Sequence, residues 1–217
     1  MGAAIPRMLQ ATTTKNPPRL ATPARATLRH ETHEAHARLE ETMRLVAPDL
    51  TLAEYVDTLE RYRQIYVALE HQIDQHARTL ASAGVDWDAR RKLPLLRRDL
   101  EVLGATARAR PDLLPVETGG CTETFAHVMG CLYVLEGSTL GGRVIARHVG
   151  RVLGLSRESG ASFFHVYGDS LTDQWRSFCD GLERSLPDEA ARQRASAGAN
   201  ATFQLFVNQV GRGSKQP

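Results

Sequence analysis

Three histidines lie close together in the segment RHETHEAHARLE, residues 29–40. A histidine can bind a metal ion or a haem iron through one ring nitrogen. On a helical wheel, His33 lies about 60° and His30 about 120° from His36, so the three do not form one ligand set. His36 borders an apolar stripe, where its side chain can enter the interior and reach a cavity. The stripe consists of Leu28, Ala35, Leu39, Met43 and Val46.

The neighbours of His36 on the same predicted helix fit a ligand role. Glu40 lies one turn later, so its carboxylate can accept a hydrogen bond from one ring nitrogen and leave the other free to bind iron. Arg29 lies two turns earlier on the same side, where it can meet an anionic group of a ligand. The alternative is that His36 is an ordinary, partly buried polar residue at a helix edge. Both interpretations stay open, whereas His30 and His33 are interpreted as surface residues.

A second predicted helix carries small residues along one face. They are Ala126, Gly130, Gly137, Gly141 and Val144, with Gly142 beside them. Each glycine inside a helix costs about 0.5–1 kcal/mol relative to alanine, so this row needs an explanation. One is close helix–helix packing; the other is a flat ligand against a bendable backbone. In the second case, the hydroxyls of Ser138 and Thr139 could hold water near the ligand. Opposite a histidine, such a face would form a slot for a planar metal macrocycle.

The rest of the chain is also predicted to be helical, because Ala, Leu, Arg and Glu dominate and apolar residues recur at intervals of three and four. Thr51 and Glu54 are spaced as a capping box at the start of the second helix. No strand pair and no internal repeat is evident. The predicted helices span residues 24–46, 52–81, 87–107, 122–153, 170–185 and 187–210. The predicted fold class is therefore all-α.

Composition limits the domain organisation and the class of partner. With 217 residues, 42% of them hydrophobic, the chain can form one domain, expected at residues 24–212. Residues 1–23, rich in proline and threonine, are expected to be a disordered tail, and residues 213–217 a short C-terminal tail. A net charge of +2 without a basic cluster argues against nucleic acid, and no apolar run is long enough for a membrane span. We expect a cytoplasmic protein with three reduced cysteines.

The histidine-containing segment and the glycine-rich segment together resemble the haem oxygenase family. The similarity is greatest to its bacterial, biliverdin-producing branch associated with bacteriophytochromes. The resemblance lies first in LRHETHEAHARLE (residues 28–40) and YVLEGSTLGG (residues 133–142). It continues in FFHVYG (residues 163–168), in Trp175 and in ATFQLF (residues 201–206). Taken in order and spacing, it covers about residues 24–210.

The resemblance implies a single all-α helical bundle that holds haem between a proximal helix and a distal helix containing glycines. It implies an enzyme that uses oxygen and supplied electrons to convert haem to biliverdin, carbon monoxide and ferrous iron. Haem is then both cofactor and substrate. A ferredoxin or a flavin reductase is the implied electron donor, and a bacteriophytochrome the implied acceptor of biliverdin.

The resemblance also implies roles for particular residues. His36 would be the axial iron ligand, oriented by Glu40. Arg29 and Arg176 would hold the haem propionates, and Phe203 would line the pocket. The distal backbone would lie against the macrocycle at Gly137, Gly141 and Gly142. Ser138 stands where the animal enzymes have aspartate, and with Thr139 it would hold ordered water. The implied catalytic set is Gly137, Ser138, Thr139 and Gly141.

Three alternatives are weighed against this hypothesis. A thiaminase-like enzyme on the same scaffold would need a nucleophilic cysteine, but Cys121, Cys131 and Cys179 have no evident activating partner in the sequence. A carboxylate-bridged di-iron bundle would need Glu-x-x-His motifs, and the chain contains none. A non-catalytic haem carrier or sensor would share the histidine ligand, and the sequence leaves this alternative open.

Overall fold

The computed structural model describes residues 23–105 and 116–211, and this part of the chain is helical without any strand. The helices are α1 (Ala24–Glu31), α2 (His33–Thr42), α3 (Leu52–Asp74), α4 (Ala77–Ser82), α5 (Leu93–Val102), α6 (Phe125–Leu153), α7 (Leu171–Ser185) and α8 (Glu189–Val210). Three 3₁₀ turns, Asp88–Arg90, Phe163–His165 and Gly168–Ser170, join them. The all-α prediction is confirmed. Apart from Pro23, the predicted tails lie outside the described residues.

Local sequence signals explain several helix starts. The predicted capping box is present: the Thr51 hydroxyl accepts from the Glu54 backbone N–H at 3.2 Å, and the Glu54 carboxylate accepts from the Thr51 N–H at 2.8 Å. Asp188 caps α8 in a similar way through the Ala191 N–H at 2.7 Å. These caps satisfy backbone donors that the first turn of a helix leaves unpaired.

The first predicted helix, at residues 24–46, is wrong in its length and continuity. Thr32 interrupts it with φ −109° and ψ 3°, and its hydroxyl donates to the Leu28 carbonyl at 2.7 Å. A threonine side chain that bonds its own backbone in this way weakens a helix. The chain then becomes extended at Met43, and Val46, predicted for the core stripe, is 50% exposed.

Two further predicted helices are also shorter than expected. The one at residues 52–81 is divided into α3 and α4, with Gln75 and His76 between them. The one expected from Trp87 begins only at Leu93, and Pro94 lies in its first turn, where a missing N–H costs nothing. It also ends at Val102, short of the predicted residue 107, and Gly104 follows with φ 70°.

The long helix α6 lies at the centre of the fold. It packs along α8, while α7 and the turn Phe163–His165 also contact it. Helices α1 and α2 lie against α8, and α3 packs on α5. This arrangement places α2 across a cavity from residues 133–145 of α6. No helix in the described part of the chain is both long enough and apolar enough to cross a membrane.

Candidate functional site

A cavity of about 700 Å³ lies between α1 and α2 on one side and α6 on the other. Its walls include aromatic side chains from α3, α7, α8 and the turn Phe163–His165. Nine of the ten predicted site residues line it: Arg29, His36, Glu40, Gly137, Ser138, Thr139, Gly141, Gly142 and Phe203. Residues more than a hundred positions apart in sequence thus meet around one space.

His36 faces this cavity with a side chain that is 57% exposed. Its Nδ1 lies 3.5 Å from a carboxylate oxygen of Glu40, one helical turn later. The ring also meets the edge of Phe203, with 5.6 Å between the ring centroids. Because Nδ1 faces Glu40, Nε2 is the ring nitrogen left to contact a ligand.

The opposite wall is formed by the backbone of α6. Apart from the adjoining backbone of α6 itself, a Cβ atom placed on Gly141 would meet no atom of the described residues within 4 Å, and one on Gly137 would only touch the Trp175 ring at 3.8 Å. Gly142 is more confined, because its Cβ would lie 3.3 Å from the Phe164 carbonyl oxygen. Close protein packing therefore does not account for glycine at Gly137 or Gly141, and a flat ligand would fill the space beside them.

Small polar groups lie next to this glycine surface. The Ser138 hydroxyl donates to the Leu135 carbonyl at 2.9 Å, and the Thr139 hydroxyl donates to the Glu136 carbonyl at 2.6 Å. Their protons are used within the helix, so both oxygens are left to act as acceptors. Burial raises the pKa of the neighbouring Tyr66 phenol well above its usual value, while a hydrogen bond with Ser138 acts in the opposite direction.

Arg176, the tenth predicted residue, does not line the cavity. Its side chain is 69% exposed, and Nη1 lies 3.2 Å from a carboxylate oxygen of Asp173 on the same helix. Its predicted contact with a propionate therefore stays a prediction.

Several cavity residues were not singled out from the sequence. Arg25 lies at the exposed edge one turn before Arg29, and this spacing was a usable signal. Tyr66 and Lys92 line the inner wall. Lys92 directly precedes α5, and no sequence motif surrounds it. Its position in the cavity wall is therefore evident only from the tertiary structure.

The three cysteines lack the features of an activated nucleophile. All are free and buried. Burial raises the pKa of Cys131 to about 12 and also raises the pKa values of Cys121 and Cys179. A nucleophilic cysteine needs the opposite shift, which argues against the thiaminase-like alternative.

Fold and site together define a class of protein. A histidine with a carboxylate behind it faces a flat glycine surface across an aromatic cavity, and two arginines lie at its exposed edge. These residues fit a planar, anionic metal macrocycle held between two helices. The class is therefore that of all-α haem proteins.

Comparisons with known proteins name the family. The Heme oxygenase family model matches residues 22–212. The chain is 39% identical over 157 residues to a heme oxygenase of Xanthomonas campestris pv. campestris (strain 8004), an alignment that covers 70% of this chain and 86% of that one. The chain belongs to the heme oxygenase family.

Solved structures support the same fold. Heme oxygenase from Leptospira interrogans superposes with a TM-score of 0.75 at 19% identity, covering 88% of this chain and 100% of that one. The enzyme from Neisseria meningitidis gives a TM-score of 0.72 at 23% identity, covering 88% and 94%.

Family membership confirms the predicted activity. The protein is an enzyme that degrades haem oxidatively to biliverdin, carbon monoxide and ferrous iron. The predicted single-domain, haem-oxygenase-like bundle is confirmed as well. Of the alternatives, a carrier or sensor accounts for the binding cavity but not for membership of a family of haem-degrading enzymes.

Proposed function

We propose that haem is bound between α2 and residues 133–145 of α6, with His36 as the iron ligand. The observation that carries this proposal is the open space beside Gly137 and Gly141, directly across the cavity from a histidine with one uncommitted ring nitrogen. Bound haem supplies the iron that activates oxygen and is itself the molecule that is oxidised.

Glu40 and Phe203 orient the proposed ligand. A carboxylate oxygen of Glu40 lies 3.5 Å from Nδ1 of His36, so a hydrogen bond accepted from Nδ1–H would favour the tautomer whose Nε2 can bind iron. The edge of Phe203 restricts rotation of the ring. Together they hold one nitrogen towards the cavity before haem binds.

Arg29 and Arg25 hold the haem propionates at the exposed edge of the cavity. Both are exposed cationic side chains on α1, one helical turn apart, and both line the cavity. Arg176 is a further proposed contact from α7. Its ion pair with Asp173 is exposed, and such pairs contribute only about 0.3–0.5 kcal/mol, so a propionate can compete for the guanidinium.

Ser138 and Thr139 order water on the α6 side of the haem. Their oxygens can accept hydrogen bonds, while Tyr66 keeps its proton because burial raises the pKa of its phenol. Water held by these groups would carry protons into the site. The backbone at Gly137, Gly141 and Gly142 limits where water can stand.

The external partners are proposed from the resemblance in residues 28–40 and 133–142. A ferredoxin or a flavin reductase supplies the electrons, and a bacteriophytochrome receives biliverdin. The proposed location is the cytoplasm, as the three free cysteines suggest.

Absorption spectroscopy during a titration with hemin, followed by ascorbate under air, tests the site. We expect a stoichiometric Soret band that decays as biliverdin absorption appears. A stable Soret band would favour a haem carrier, and no Soret band would exclude the proposed haem site.

His36→Ala tests the ligand. Because it removes the axial nitrogen, we expect loss of the native haem spectrum and of turnover, both restored by added imidazole. His30→Ala is the matched control, since His30 lies on the neighbouring helix but does not line the cavity. Full activity of His36→Ala without imidazole would show that another group binds the iron.

A further inference from the structure

A buried ionic cluster lies behind the glycine surface of α6. Its centre is Glu136, which directly precedes Gly137 and is only 1% exposed. One carboxylate oxygen accepts from Arg90 Nη1 at 2.5 Å, and the other accepts from the ammonium of Lys92. The Tyr167 hydroxyl lies 3.1 Å from both oxygens. Two cations thus share one carboxylate away from solvent.

The fold maintains this cluster at some cost. Tyr167 has φ 68°, and it is the one non-glycine residue with positive φ in the described part of the chain. Such a conformation costs roughly 1–3 kcal/mol and persists where surrounding contacts enforce it, which is common at functional sites. Here it places the phenol on Glu136. Burial raises the pKa of Tyr167, so the phenol is a neutral donor to the carboxylate.

Lys92 is the member of the cluster that reaches the cavity. It is only 2% exposed to solvent, and it lines the cavity together with Tyr66 and Ser138. An ammonium group has three N–H donors. One donates to the Arg90 carbonyl oxygen at 3.2 Å and one to Glu136, and the ammonium also lies 5.6 Å from the centre of the Tyr167 ring. The hydrogen bonds of the described residues leave the third N–H available to a ligand in the cavity.

The third N–H of Lys92 matters because the hydroxyl groups beside it have no proton left to donate to a ligand. Ser138 and Thr139 already donate to carbonyls of their own helix. Arg25 and Arg29 are cationic, but they lie at the exposed edge, where water and salt weaken their field. At the inner wall, by contrast, Lys92 is a charged donor in a region of low effective dielectric.

Glu70 also lies near Lys92, but it accepts hydrogen bonds from backbone N–H groups and not from the ammonium. Glu70 is 4% exposed, and one of its oxygens accepts from the backbone N–H groups of Lys92 and Leu93 at 2.8 and 2.9 Å. Burial is the main influence on Glu70 and raises the pKa of its carboxyl. Glu70 therefore fixes the backbone of Lys92, while Glu136 fixes its ammonium.

We infer that Lys92 forms a subsite for a small anion on the α6 side of bound haem. Its ammonium donates a hydrogen bond to a ligand, or to ordered water, that carries negative charge there. Glu136 and Tyr167 act as positioning residues that hold the ammonium towards the cavity. The inference rests on the proposed haem site, because the anion would stand between haem and α6.

Azide binding to the ferric haem complex tests the subsite, followed by the change in its absorption spectrum. Lys92→Met keeps the length of the side chain but removes its charge and its donors. It leaves Glu136 paired with Arg90, so no carboxylate is stranded in the interior. We expect azide to bind about tenfold more weakly or worse, the usual loss for one charge-assisted hydrogen bond. Binding of imidazole, a neutral ligand, should change less than about twofold.

Arg90→Met is the matched control. It also removes one cation from Glu136, but Arg90 does not line the cavity. Azide affinity should therefore stay within about threefold of the original if the local donor, and not distant charge, controls binding. The inference would be overturned if azide affinity fell equally in the two variants, or if it did not fall in Lys92→Met.

The Soret band separates this test from the test of the haem site. A native band together with unchanged azide affinity in Lys92→Met contradicts the subsite alone, whereas a missing band in the unaltered protein contradicts the proposed haem site. Circular dichroism checks the helical content of each variant. If Lys92→Met does not fold, Lys92→Gln replaces it, since an amide can still donate to Glu136 but carries no charge, and azide should again bind more weakly.

Discussion

The two halves of α6 use glycine for different purposes. In the first half, a Cβ on Gly130 would lie 1.8 Å from the Ala195 carbonyl oxygen of α8. A Cβ on Gly198 of α8 would in turn lie 2.5 Å from the His127 carbonyl oxygen. In the second half, Gly141 has no such neighbour within 4 Å. One face of a single helix is therefore packed against protein at one end and against a ligand cavity at the other.

This difference confirms helix packing as the explanation for Gly130, whereas the flat-ligand explanation for Gly137 and Gly141 stays a prediction that the open space beside them supports. Where α6 crosses α8, absent side chains allow two backbones to approach closely. Beside the cavity, absent side chains leave open space that the proposed haem would fill. The cost of glycine in a helix is about the same at both places, but protein contacts offset it in the first half, and ligand binding would offset it in the second.

Gly130→Ala should have the largest effect. The new methyl group would collide with backbone atoms of α8, which cannot rotate away as a side chain could. We expect the free energy of unfolding to fall by about 3 kcal/mol or more, at the upper end of what overpacking costs. Urea denaturation of the haem-free protein, followed by circular dichroism, measures it.

Gly198→Ala extends this test to the opposite side of the same crossing and should also be strongly destabilising, because its nearest neighbours are backbone atoms of His127. A loss below about 1 kcal/mol in both variants would mean that the helices can separate slightly at little cost. The packing explanation for Gly130 would then be wrong.

Periodicity and capping predicted the fold class and most of the helices. They missed the interruption at Thr32 because a threonine that bonds its own backbone leaves the apolar repeat unchanged. They also placed Val46 in the core, although the chain turns away at Met43. Such breaks depend on tertiary contacts that a helical wheel does not represent.

Two local motifs, residues 28–40 and 133–142, predicted eight of the residues around the cavity, and the segment 201–206 added Phe203. Lys92 and Tyr66 were missed because nothing in their own segments marks them; contacts with Glu136 and Ser138 on another helix give them their place. Arg176 was predicted from the resemblance; it pairs with Asp173 outside the cavity lining, and its contact with a propionate stays a prediction. Short motifs thus predicted the cavity residues on α1, α2 and α6 better than Tyr66 on α3 and Lys92 just before α5.

Gly141→Leu should have the next largest effect, and on haem binding instead of folding. The space beside Gly141 admits a larger side chain in the haem-free protein, so the free energy of unfolding should not fall. The same side chain would occupy the proposed haem slot and weaken haem affinity about tenfold to a hundredfold. Val144→Leu is the matched control, one turn away on α6 at a position that is 59% exposed and outside the cavity lining. Haem affinity is measured by titration monitored at the Soret band. Equal haem affinity of the two variants would contradict the proposed haem site.

Gly141→Ala should have the smallest effect and the opposite sign to Gly130→Ala. Alanine favours the helical backbone over glycine, and apart from the adjoining backbone of α6 itself no atom of the described residues lies within 4 Å of the new methyl group. We therefore expect the haem-free protein to gain about 0.5–1 kcal/mol in free energy of unfolding. Urea denaturation of the two alanine variants side by side checks the sign. Destabilisation by Gly141→Ala would show that this half of α6 is also held by protein packing, and the contrast between the two halves would no longer stand.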